Sequence, residues 1–318
     1  FRPDWSPDGQ YIALTDTDYN IWVVDVESGE AKEVDTDRYA HPNRAMNPVW
    51  SPDSKWIAYA RQLESHFKAA FAYNVETEER IQLTDGMADV ITPVWDQSGQ
   101  YLYFLASTDY GLNSGWLDMS SYDPDVNRSL YCMLLTKDLE SPAKVKSDEE
   151  EVEAEEDKEA EDEEKEDGVV VRIDQEGLMQ RIVALDLPAQ NYLGLWAGPA
   201  NTVFVAESIP NQSGATLHKY DLNEQKAEEF VKGVREGVTS FDGSHLLYRN
   251  GSGWFLVETK SPPKNGSGKL AMDVKLEVDP RAEYEQIFRE GWRYMRDFLY
   301  VDNVHGAPWD TIYEWYSP

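Results

Sequence analysis

The sequence predicts a mostly β protein: a β-propeller with about five visible blades of a six- or seven-bladed ring, followed by the start of an α-helical core domain. Three observations predict it. The motifs "WSPDG" at Trp5–Gly9, "WSPDS" at Trp50–Ser54 and "WDQSG" at Trp95–Gly99 recur every 45 residues. Each is followed by short alternating runs rich in aromatic and β-branched residues, the grammar of propeller blades. From about Asp279 the apolar spacing changes to three and four, which is the helical period.

Each element follows from local chemistry. In "SPDG" the proline presets φ for a turn, the aspartate can bond its own nearby backbone, and the glycine accepts positive φ. A large tryptophan ahead of the turn can wedge between neighbouring sheets. The runs "QYIALTD", "KWIAYAR" and "QYLYFLAS" are strands that leave these turns. In the first two units a second and third strand follow, joined by the hairpin turns "ESGE" and "ETEE". The third unit continues through "YDPDVNRSLYCMLLTKD" and breaks at a charged run. It resumes with two strand-like stretches, Val169–Ile173 and Arg181–Leu185. A fourth unit begins near "YLGLWAGPANTVFVAES" and a fifth near "VTSFDGSHLLYRNGSGWFLVET", where Phe241 is read in the place of tryptophan. Residues 1–278 are therefore assigned to the propeller and 279–318 to the opening of a helical domain. There Asp279 is an N-cap, Pro280 takes the first helical position, and Tyr284, Ile287, Phe288, Met295, Phe298 and Leu299 form an apolar stripe widened by Trp292. "WDTIYEWYSP" reads as a second short helix. Two such helices alone leave an apolar stripe in water, so the chain reads as a piece of something larger.

The chain has 318 residues, 41% of them hydrophobic, which suffices for a packed core. Its formal charge is −31, and residues 148–167 alone carry 15 acidic side chains against two lysines. A run of this density reads as a disordered, solvated insertion within a blade. So acidic a chain lacks the basic footprint that nucleic acid requires. No run of about 18 apolar residues offers a membrane span. The single Cys132 excludes an internal disulfide framework.

The repeated WSPDG blades, the segment "VVVRIDQEGLMQRIVALDLPAQNYLGL" after the charged insertion, and "YEQIFREGWRYMRDFLYVDNVHGAPWDTIYEWYSP" together resemble the tricorn protease family, a propeller-bearing branch of the tail-specific serine peptidases. The resemblance spans essentially the whole chain. It implies an ATP-independent serine endopeptidase in the intact protein, with peptide or unfolded polypeptide as substrate and the propeller gating access. An acidic inner wall is expected to favour basic peptides. The resemblance also implies a homo-oligomer and a cytoplasmic location, with the periplasm as the alternative. It places the family's catalytic serine, histidine and acidic residue beyond this sequence, so no catalytic, cofactor or metal residue is assigned here. The competing readings are a non-enzymatic TolB-like propeller that binds a protein partner, and the propeller of a prolyl-oligopeptidase-type enzyme.

The remaining candidates read as structural. His305 lies in a loop between Asp302 and Asp310, with only Thr311 and Ser317 as nearby hydroxyls. His41, His66, His218 and His245 lack zinc-ligand spacing. Cys132 has no basic neighbour and reads as a buried strand cysteine. "NGSGW" and "KNGSGK" are hairpin turns rather than phosphate loops. Asp16 and Asp18 are a weak calcium candidate without EF-hand order.

Overall fold

The structure is a computed structural model that describes residues 3–39, 46–109, 126–143 and 168–317. The charged run at 148–167 and His41 lie outside the described residues. The chain divides into two compact units, Phe1–Leu270 and Ala271–Pro318.

The first unit consists of five antiparallel sheets, each formed from consecutive strands. The first sheet is β1 (Asp4–Trp5), β2 (Tyr11–Thr15), β3 (Asn20–Asp25) and β4 (Ala31–Thr36). The second is β5 (Val49–Trp50), β6 (Trp56–Gln62), β7 (Lys68–Asn74) and β8 (Arg80–Gln82). The third is β9 (Asp89–Trp95), β10 (Tyr101–Ser107), β11 (Ser129–Leu134) and β12 (Ile182–Ala184). The fourth is β13 (Tyr192–Ala197), β14 (Thr202–Glu207), β15 (Ala215–Asp221) and β16 (Lys226–Val234). The fifth has three strands, β17 (Glu236–Thr239), β18 (His245–Asn250) and β19 (Gly253–Glu258). The first strand of each sheet lies against the first strand of the next, which is the radial arrangement of a propeller.

Side-chain alternation explains why the sheets stack. In β6, Ile57 and Tyr59 enter a core shared with Ala13, Ile21 and Val23 of the first sheet, whereas Trp56 and Ala58 enter a core shared with Leu102 and Phe104 of the third. In β10, Tyr103 and Leu105 turn the other way and pack on Val203 and Val205 of the fourth sheet. Phe204 and Leu217 then meet Leu246 and Tyr248 of the fifth. A strand covered on both faces reads as a continuous apolar run, which "YLYFLAS" shows.

The turn motif is one hydrogen-bonded device used repeatedly. Ser6 Oγ donates to Asp8 Oδ1 at 2.6 Å and accepts from Tyr11 N at 2.9 Å. Ser51 and Asp53 repeat this with Trp56 N, and Ser240 and Asp242 with His245 N. In "WDQSG" the partners exchange places, and Ser98 Oγ donates to Asp96 Oδ1. The closing position is left-handed in every case: Gly9 at φ 72°, Ser54 at 62°, Gly99 at 73° and Gly243 at 69°. The tryptophans stitch sheet to sheet. Trp50 Nε1 donates to Asp4 O at 3.0 Å and Trp95 Nε1 to Val49 O at 3.1 Å, so each indole reaches back to the preceding inner strand.

Three readings of the sequence are corrected here. Val169–Ile173 joins no ladder, because β12 already occupies the free edge of β11. The segment instead crosses the second and third sheets: Val171 is buried in their common core, and its N–H donates to Asp53 Oδ2 at 2.9 Å. Arg181 belongs to the short 3-10 turn before β12, where its guanidinium ties down the carbonyls of Leu134, Leu135, Asp174 and Glu176. Phe241 does not replace tryptophan. The register Thr239↔Leu246 matches Trp5↔Ile12, so Thr239 holds that place and Phe241 sits where the turn had proline.

The second unit holds α1 (Pro280–Asp297) and α2 (Trp309–Tyr316). Asp279 caps α1 by accepting from Arg281 N at 3.0 Å, as its sequence predicts. The helices meet through Trp292, which stacks on Trp309 with ring centroids 5.6 Å apart and meets Tyr313 edge-on at 5.0 Å. Tyr284, Ile287, Met295 and Phe298 remain exposed on α1. The connection contains a left-handed turn in which Val304, His305 and Gly306 have φ of 49°, 57° and 74°.

Candidate functional site

The first strands β1, β5, β9, β13 and β17 each end a sheet, so each keeps one edge free of sheet partners on the inner side of the array. Bulges interrupt two of these edges. The register of β9 shifts between Ile91 and Val94, and Thr92 there has φ 45°, a strained value for a β-branched residue. The register of β13 shifts between Tyr192 and Gly194, which leaves Leu193 without a cross-strand mate and 54% exposed. A Cβ on Gly194 would sit 3.4 Å from Thr92 Cγ2, so the two bulges abut. Among the described residues, the carboxylates on these five strands are Asp4, Asp89 and Glu236. Asp89 is buried and accepts from Lys68 N, and Glu236 is paired with Arg249. Apolar Leu193 and Val238, both exposed, lie on the same set of strands.

Two buried polar clusters lie between sheets, and one partly covered pair lies within the fourth sheet. Asp35 is buried and accepts from Tyr59 Oη at 2.8 Å and Arg80 Nη1 at 2.8 Å, with Arg61 Nη1 at 3.4 Å. Arg61 also stacks over Phe71, 4.5 Å from the ring centre. Burial and the nearby Asp35 charge push the Tyr59 hydroxyl far up, so it stays a donor. Asp96 accepts from Tyr103 Oη at 2.9 Å and from Asn201 N at 2.8 Å, which links the third sheet to the fourth. Desolvation raises the Asp96 pKa above the ordinary carboxylate value, despite the hydrogen bonds that oppose it. His218 Nε2 lies 2.6 Å from Glu207 Oε2 on neighbouring strands, and both side chains are about four-fifths covered.

No nucleophile–base–acid geometry emerges among the described residues. Cys132 is buried, and desolvation drives its thiol pKa upward, away from a reactive thiolate. His66 meets Tyr39 ring to ring at 5.0 Å, His245 Nδ1 lies 2.7 Å from Ser244 Oγ, and His305 Nε2 lies 2.8 Å from Tyr300 Oη. The two oxygens of Asp16 accept from the N–H groups of Asp18 and Asn20 and from the side chains of Asn20 and Trp22. These donors hold its carboxyl below the ordinary range, although desolvation works against them. No three His, Cys, Asp or Glu side chains converge on a metal-sized site among the described residues. A shallow groove of about 380 Å³ runs between β8 and the 3-10 turn, lined by Arg80, Gln82, Gln175, Leu178 and Met179. Sequence reasoning missed the His218–Glu207 pair, because only the β14–β15 register brings these residues together.

Comparison with known proteins fits this geometry. Residues 1–260 match the family described as the tricorn protease second beta propeller domain, and residues 280–318 match the tricorn protease C1 domain. Tricorn protease homolog 1 of Streptomyces coelicolor is 25% identical over 98% of this chain and 30% of its own length. The tricorn protease homolog of Saccharolobus solfataricus is 24% identical over 96% of this chain and 28% of its own length. The chain thus spans under a third of the relatives it matches. The crystal structure of the tricorn protease superposes with a TM-score of 0.76 at 16% identity, covering 99% of this chain and 30% of that one. The stitched propeller followed by a helix pair, matched in that order by both domain families, shows that this chain belongs to the tricorn protease family.

Proposed function

We propose that the chain is the propeller and early core segment of a tricorn-like serine endopeptidase, and that the propeller governs peptide access to a catalytic site outside these residues. The observation that carries this reading is the uninterrupted order of the two matches, 1–260 and then 280–318. A free-standing TolB-like scaffold would not need the second. The mixed inner wall suits extended polypeptide: free strand edges offer backbone groups to any sequence, and Leu193 and Val238 offer apolar contact. In this reading the substrates are peptides or unfolded chains, the parent protein is a homo-oligomer, and it works in the cytoplasm.

The test compares the intact parent protein with this chain alone. The parent should cleave a fluorogenic peptide without ATP and react with a fluorophosphonate at a serine outside these residues. The chain alone should do neither. Fluorophosphonate labelling within the chain, or cleavage by it, would sink the proposal.

A further inference from the structure

Where the first unit meets the second, residues 269–279 read "KLAMDVKLEVD" and alternate strictly. Leu270, Met272, Val274, Leu276 and Val278 are apolar. Between and around them stand Lys269, Ala271, Asp273, Lys275, Glu277 and Asp279. A period of two is the pattern of a strand with one covered face. Here that face has no cover: all five apolar side chains are exposed, Val274 to 75% and Leu276 to 82%. Lys275 Nζ lies 3.9 Å from Asp273 Oδ2, as next neighbours on one face of an extended chain do.

A ladder starts here and stops. Leu256 N donates to Gly268 O at 2.9 Å and Leu270 N to Trp254 O at 2.8 Å, which sets Lys269 antiparallel to Phe255. Because β19 begins at Gly253, this ladder runs out at Ala271. Among the described residues, 271–278 make no main-chain hydrogen bond. Gly268 and Leu270 turn their backbone groups to β19, so the odd-numbered residues turn theirs to the opposite edge, which is free.

The segment is complementary to itself. When two copies run antiparallel about Val274, Leu270 faces Val278, Met272 faces Leu276 and Val274 faces its own counterpart. On the other face Lys269 meets Asp279 and Asp273 meets Lys275, each pair occurring twice. A slide of two residues sets Asp273 against Asp273 or Lys275 against Lys275. A slide of one residue sets apolar against charged side chains.

We propose that residues 269–279 are an interface strand that pairs antiparallel with the same residues of a second copy, through the edge away from β19 and with its two-fold axis at Val274. Asp273 and Lys275 then exchange main-chain bonds, and the two Val274 side chains form the close, non-hydrogen-bonded pair. A two-stranded ribbon is marginal by itself, so its apolar face needs a cover. The exposed stripe of α1, with Tyr284, Ile287, Met295 and Phe298, follows directly in the same unit and lacks a cover too. Pairing brings strand and helix together from two copies and gives each face a partner. The proposal asks nothing of the peptidase reading.

The test uses the full 318-residue chain. Sedimentation equilibrium should show a reversible dimer. D273K and K275D should each weaken association at least about tenfold, because each sets two like-charged pairs across the ribbon. The double variant D273K/K275D should recover it. On mild oxidation V274C should form a disulfide between copies, whereas A271C should not, its two copies lying about 20 Å apart in this register. Both exchanged side chains are nearly nine-tenths exposed, so circular dichroism and melting of the propeller should not change. A chain that stays monomeric overturns the proposal, the partner of the segment then being a different strand. So does a dimer that ignores the single exchanges, that the double exchange fails to restore, or that links through A271C as readily as through V274C.

Discussion

At the scale of single residues, buried carboxylates do the fastening between sheets. Asp96 serves the Tyr103 hydroxyl and the Asn201 amide together, so D96A leaves two buried donors unsatisfied. It should cost about 2–4 kcal/mol in urea titrations. Its pH dependence has a definite sign. Desolvation raises the folded-state pKa above the unfolded value, so the folded protein holds the proton more tightly. That contribution is fully present below the ordinary carboxylate pKa and is lost as pH rises through the raised one. Urea midpoints measured from acid to neutral pH should fall over this window in the parent chain, and D96N should flatten the fall. Cys132, buried with its thiol pKa raised, should resist an aromatic disulfide reagent in the native protein and react at once in denaturant. Residue chemistry was only partly legible in the sequence. Asp and Ser flanking a turn could be read as local partners, since each bonds within two residues of itself. Nothing in the string showed that Asp96 also reaches Asn201, because that distance is closed only by stacking.

At the scale of elements, identical motifs have unequal weights. W50A and W95A each remove a buried indole and its bond to the neighbouring strand, and each should cost about 3–5 kcal/mol. W5A in this same chain should cost well under about 1 kcal/mol by the same thermal melts, because its side chain lies mostly in water. The segment after the charged run provides a second contrast. V171D should open the core between the second and third sheets, with a loss of about 2–4 kcal/mol, whereas the exposed neighbour V170D should be almost silent. The strands of the first three units were readable because tryptophan, turn and apolar run recur together. The later units had lost the tryptophan, to Ala197 and Thr239, so only ladder register identifies the position. Val169–Ile173 has the composition of a strand, but composition does not reveal whether an edge is free to receive one. The start of α1 was legible because capping depends on adjacent residues alone.

At the scale of the whole molecule, four apolar cores serve five sheets, each core lying between two neighbours. Stability in such an array is a sum of sheet terms and seam terms. A substitution in one seam, such as L105A between the third and fourth sheets, should therefore broaden the denaturant transition as well as shift it. Fluorescence and circular dichroism midpoints should separate in that variant and coincide in the parent chain. The stitch has a further consequence for how such a protein comes into being. The indole of each stitch is encoded within the sheet that it fastens backwards, and for that one bond the host contributes only a carbonyl, which every residue possesses. A tandem gene duplication therefore arrives with the donor of that bond already in place. Arrays built this way can lengthen by copying a unit that already carries its own stitch.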